Sequence, residues 1–196
     1  MNDQLFWFAT RGAGIVSLIL TTGVVYLGIL SVLRWKTAAW PPFATAGLHK
    51  NLGLLSGVFL LIHIVTAIVD PYTSLGPIAA LIPFASSYKT LWLGLGVIAF
   101  DLGIALIVTS LLRRHVGQRT WRAIHWTSYL AWPMAVVHSI GTGTDARAPW
   151  MLAITAACVV AVVAATAVRV VNGRPEPAPN RAAAAARPGA LVPPAG

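Results

Sequence analysis

Charge is what this chain has least of. Of its 196 residues 10% are charged and 57% are hydrophobic, and the mean hydropathy of +0.75 lies far outside the range of soluble globular domains. Cysteine is nearly absent too: Cys158 alone leaves no disulfide framework, no CxxC redox pair and no CxxCH attachment motif. There is no GxGxxG following a strand and no P-loop, so these residues offer no cradle for a nucleotide. The opening Met1-Asn2-Asp3-Gln4 lacks the basic start and small-residue cleavage site of a secretory signal, and the first apolar run is expected to be a retained helix. No alternating pattern of the kind that builds a barrel competes with a helical reading.

What is present is a set of apolar runs, each long enough to cross a hydrocarbon core of about 30 Å, which takes roughly 20 helical residues. Five are expected: 12–33, 48–69, 90–112, 124–140 and 150–171. The fold class is therefore an all-α membrane bundle of about five helices. Its basic residues alternate between the two sides. Segments 34–50, 113–122 and the C-terminal tail hold eleven of the fourteen Lys and Arg, while the opposite side has only Arg11, Lys89 and Arg147. The positive-inside rule then puts the N-terminus outside and the C-terminus in the cytoplasm of a multi-pass plasma-membrane protein, and it accounts for the net charge of +9 without nucleic acid. Residues 172–196, rich in Pro, Ala and Arg, are expected to be a disordered tail following a membrane domain at 1–171.

Histidines inside membrane spans are costly and become functional candidates. His49 and His63 fall on the second run, His125 and His138 on the fourth. Both runs go from inside to outside, which places His49 level with His125 and His63 level with His138. Two neutral imidazoles facing each other across a helix gap form the axial ligation of a low-spin haem b, so two levels make two haems, noncovalently held. The separations of 14 and 13 residues set the levels roughly 20 Å apart. On an ideal helix His49 and His63 share a face; His125 and His138 do not, and Pro133 is expected to kink the fourth run between them. The same residues admit a second reading, a haem-free metal transporter or structural membrane partner in which the histidines coordinate metal or pack, with Asp101 the one carboxylate in mid-span.

The pattern H49-x13-H63 and H125-x12-H138, together with ATRGAG (9–14), GLHKNLGLL (47–55) and RAIHW (122–126), resembles the ferric reductase-like transmembrane domain shared by ferric reductases, NADPH oxidases and the haem subunit of the periplasmic methionine sulfoxide reductase system. The likeness spans roughly residues 5 to 171. It implies that the four histidines bind two haems, and that electrons pass from a cytoplasmic flavoprotein or quinol to an acceptor outside. The chain departs from that family in having five expected spans rather than six, and in carrying no flavin and nicotinamide domain in these residues.

Haem propionates are anionic and call for basic neighbours. Arg11, inside an apolar run, is the expected partner of the outer haem; Arg34, Lys36, Lys50 and Arg122 are candidates for the inner one, although topology alone also explains them. Gly53 and Gly57 form a GxxxG that either brings two helices together or clears a porphyrin face. Asp101 is read as a proton relay or as a structural partner of a neighbouring helix or Arg11. The loop Asp70–Lys89 is more apolar than an exposed loop and is expected to fold back over the outer site.

Overall fold

A computed structural model of the chain describes residues 2–33, 41–71 and 75–172. The expected tail, beyond Asn172, and Arg34 and Lys36 lie outside the described residues. Everything regular in the described chain is helical: α1 (Asn2–Val32), α2 (Pro42–Val69), a 3-10 turn (Pro77–Ala80), α3 (Thr90–Leu111), α4 (Arg113–Val116), α5 (Gln118–Trp126), α6 (Ser128–Thr142) and α7 (Pro149–Asn172).

Local chemistry sets the boundaries. Pro42 and Pro149 open α2 and α7, where the missing N–H costs nothing. Asp70 ends α2 in an extended conformation because Pro71 follows it. Gly117, at φ +79 and ψ 153, separates α4 from α5 in a conformation that glycine alone adopts readily. Along the helices, hydroxyls bond back to carbonyls of their own turn, as Thr21 does to Ser17, Thr66 to Ile62 and Thr109 to Ala105, which satisfies them where no water is at hand.

Four of the helices are long and apolar enough to cross a membrane: Gln4–Val32, Phe43–Val69, Thr90–Leu111 and Pro149–Asn172. The expected fourth run, 124–140, is instead divided between α5 and α6, and α6 has 15 residues, short of a span by itself. The two helices separate at Thr127, and α6 continues through Pro133. Thr127 keeps helical angles (φ −65, ψ −13), but its N–H reaches back to Ile124 at 3.0 Å and to His125, short of a full α turn, and its hydroxyl bonds the Ile124 carbonyl at 2.7 Å. A 3-10 turn winds about 20° more per residue than an α-helix, and carries His138 part of the way to the face of His125 that ideal α geometry denies it.

The helices pack unevenly. α1 lies along α2, α3 along α6, and α7 against α1. The buried core is built from α1 (Leu18, Ile29), α6 (Trp132, Val136) and α7 (Met151, Cys158, Val162, Ala165). α2 and α6 have almost no contact with each other. At the centre of the core Trp132 donates its indole N–H to Thr22 at 3.0 Å, while the Thr22 hydroxyl donates to Leu18 at 2.7 Å. Trp132→Phe is expected to lower stability by about 1–3 kcal/mol, because it strips a buried hydroxyl of its donor. Thermal unfolding in detergent checks this; an unchanged midpoint would show that the bond contributes nothing.

Candidate functional site

Both expected histidine pairs assemble. On α2, His49 and His63 are 14 residues apart, close to four turns and about 20 Å along the axis. His125, near the end of α5, faces His49 with ring centroids 6.0 Å apart and planes at 61°. His138 on α6 faces His63 at 6.4 Å and 83°. The rings are too far apart to bond each other. With metal–nitrogen bonds of about 2 Å and a ring nitrogen about 1.1 Å from its centroid, two imidazoles on opposite sides of one ion have centroids about 6 Å apart.

Three of the four rings are tied to a neighbouring helix backbone. His49 Nδ1 lies 2.9 Å from the Val24 carbonyl, His63 Nδ1 2.7 Å from that of Thr10, and His138 Nδ1 2.9 Å from that of Trp92. A carbonyl only accepts, so Nδ1 is the donor and carries the proton, and Nε2 keeps its lone pair for a ligand bond. His125 differs: its buried Nδ1 has no hydrogen-bond partner among the described residues. It is held by stacking on Trp121, 4.8 Å between centroids and 24° between planes, and the Arg113 guanidinium covers that indole at 4.1 Å.

Between the poorly touching α2 and α6 lies a cavity of about 390 Å³ that reaches His63 and His138 and is walled mainly by apolar side chains. Gly53 and Gly57 both line it. A Cβ at Gly57 would come within 2.9 Å of Ile107, marking a close approach of α3, whereas one at Gly53 would meet nothing within 4 Å. The apolar loop does fold over this end: Leu75, Ala80 and Tyr88 contribute to the cavity wall. Lys89, at the start of α3, donates to the Gly141 and Thr142 carbonyls at 3.1 and 3.3 Å, fixing the last turn of α6, which bears His138.

Arg11 is at the mouth of the same cavity, ion-paired with Asp145 from the α6–α7 connection and lying 3.8 Å over the Trp7 ring. Asp145, and not Asp101, is thus the partner of Arg11. Asp101 is exposed on the outer side of α3 and does not line the cavity. Lys50 and Arg122 are exposed near the His49–His125 level. Sequence reasoning missed Asp145, Trp121 and the three acceptor carbonyls. Only Asp145 left a signal there, as one of the few acids on the side that holds Arg11.

Two facing histidine pairs thus sit within an apolar, all-helical, multi-pass membrane bundle. The chain belongs to the family described as ferric reductase like transmembrane component, which matches residues 13–136. That match includes His49, His63 and His125 and stops two residues short of His138. Membership points to a membrane oxidoreductase component. Neither the curated proteins nor the solved structures contain a match to this chain.

The Arg11–Asp145 pair is about a quarter exposed on either side, so its expected contribution is modest. Arg11→Ala and Asp145→Ala, made singly and together, should show a coupling of about 1 kcal/mol in unfolding experiments. Strict additivity would show that the pair does not tie α1 to the α6–α7 connection.

Proposed function

We propose that this chain carries electrons across the membrane through two noncovalently bound b-type haems, one held by His49 and His125 and the other by His63 and His138. The observation that carries the reading is the pairing itself: two levels of imidazoles at ligand spacing, three of the four with Nδ1 engaged by a carbonyl, between α2 and the α5–α6 segment, which do not close on each other. The donor set fits haem better than a bare metal ion. Among the described residues no three His, Cys, Asp or Glu side chains converge, whereas haem needs only two axial ligands. A metal carrier would also call for carboxylates along its path, and Asp101 faces away from the cavity.

Haem b, when bound, supplies a one-electron couple; the rest of the task falls to the protein. The carbonyls of Thr10, Val24 and Trp92 orient the imidazoles and fix their tautomers. Apolar walls, including Ile64, Val97 and Trp132, exclude water from the space between the levels. Arg11, with five donors and, among the described residues, one carboxylate partner in Asp145, has donors left for a propionate at the His63–His138 level. We further propose that the α5–α6 segment completes a fifth crossing in the plasma membrane. The Arg-rich side then faces the cytoplasm, so that the His49–His125 level receives electrons from a separate flavoprotein or a quinol and the other level delivers them to an acceptor outside.

Substituting each histidine by alanine separates the levels. His49→Ala and His125→Ala should remove the same haem and leave the other; His63→Ala and His138→Ala should do the converse, read as loss of about half the reduced-minus-oxidised Soret amplitude. Four independent effects, or none, would contradict the pairing.

A further inference from the structure

The three tied histidines share a feature that the fourth lacks. Each acceptor carbonyl stands four residues before a glycine: Thr10 before Gly14, Val24 before Gly28, Trp92 before Gly96. In an α-helix the carbonyl of residue i already accepts from the N–H of i+4, and the side chain at i+4 leans back over that turn. With glycine there, the second lone pair of the carbonyl is open from the side, and a ring from the next helix can enter.

The fit is tight where it should be. A Cβ at Gly14 would stand 2.9 Å from both Cε1 and Nδ1 of His63, one at Gly28 would stand 3.4 Å from Cε1 of His49, and one at Gly96 would collide with the ring of His138. Other glycines in the membrane helices do not meet a histidine: a Cβ at Gly12 or Gly53 would meet no atom within 4 Å, and tight approaches at Gly57, Gly94 and Gly141 are to Ile107, Phe84 and Trp92. The spacing agrees as well. Gly14 and Gly28 are 14 residues apart on α1, the same interval as His63 and His49 on the antiparallel α2. Among the described residues no glycine is in contact with His125, and its Nδ1 is the one of the four without a partner.

We infer that Gly14, Gly28 and Gly96 are positioning residues, each opening a backbone socket that seats one imidazole through its Nδ1–H and sets its strength as a ligand; this rests on the haem reading above. A carbonyl bound to Nδ1–H makes Nε2 more basic and favours the oxidised metal. The His63–His138 level has two sockets and the His49–His125 level has one, so the two levels respond to different glycines.

The experiment uses the full chain in detergent, with redox titration of Gly14→Ala, Gly28→Ala and Gly96→Ala beside Gly12→Ala and Gly23→Ala, two α1 glycines that touch no histidine and do not line the cavity. The haem belonging to each level is assigned from the histidine variants. G14A and G96A should raise the midpoint potential of the His63–His138 haem, or release it, without moving the other; G28A should act on the His49–His125 haem alone, and more mildly; the two controls should move neither. G14A and G96A variants that keep both haems at wild-type potentials would overturn the inference. Should either variant fail to accumulate, proton ENDOR of the wild-type protein in D2O decides the matter: three slowly exchanging Nδ1 protons and one fast one support the sockets, and four that exchange alike overturn them. A wild-type chain that takes up no haem is a different result, seen before any glycine is changed, and it sinks the haem reading together with this one.

Discussion

The hydrogen bond from a histidine Nδ1 to a main-chain carbonyl of the neighbouring helix is the contact on which the rest of this architecture depends. In a bilayer each helix satisfies its own backbone, and an imidazole that leaves its helix to face a gap must find a partner there or carry an unmet N–H into hydrocarbon. Carbonyls of α1 and α3 meet that need for His49, His63 and His138. They also explain the uneven packing: α1 pairs with α2 and α3 with α6 because each pair contains a ring seated in a backbone, while α2 and the α5–α6 segment, which hold the facing rings, stay apart.

That division of labour separates scaffold from site. The apolar core is centred on α1, α6 and α7, away from α2, and Trp132 links it to Thr22 at a depth between the two histidine levels. The cavity beside it is bounded on one end by the apolar loop and by the Arg11–Asp145 pair. At the other end Arg169 reaches the Tyr129 hydroxyl and lies over the rings of Trp126 and Tyr129, so α7 is fastened to the start of α6, close to His125. His125 is the least constrained ligand candidate, held by a stacked indole in place of a hydrogen bond.

Much of this was legible in the sequence, for physical reasons. The apolar runs of α1, α2, α3 and α7 stand out because a span needs some 20 residues without charge. The level pairing of the histidines followed from two parallel helices and nearly equal spacings. The division of the fourth run was harder to see. Pro133 drew attention, yet α6 runs through it and the two helices separate at Thr127, where a hydroxyl competing for the Ile124 carbonyl leaves no mark in hydropathy. The partner of Arg11 was obscure because Asp145 lies 134 residues away in a short loop, whereas Asp101 was conspicuous in mid-span and turns out to face outward. Of the two socket glycines of α1, Gly14 was visible only as part of a resemblance and Gly28 not at all; their interval of 14 acquires meaning once it is laid against the identical interval on α2.

The measurement that bears most directly on the central claim is haem stoichiometry in the purified wild-type chain, by pyridine haemochrome against protein concentration, with EPR of the oxidised sample. The account predicts about two b-type haems per chain and low-spin ferric signals from bis-histidine iron. A chain produced with ample haem that retains none, or retains only high-spin haem, would contradict it.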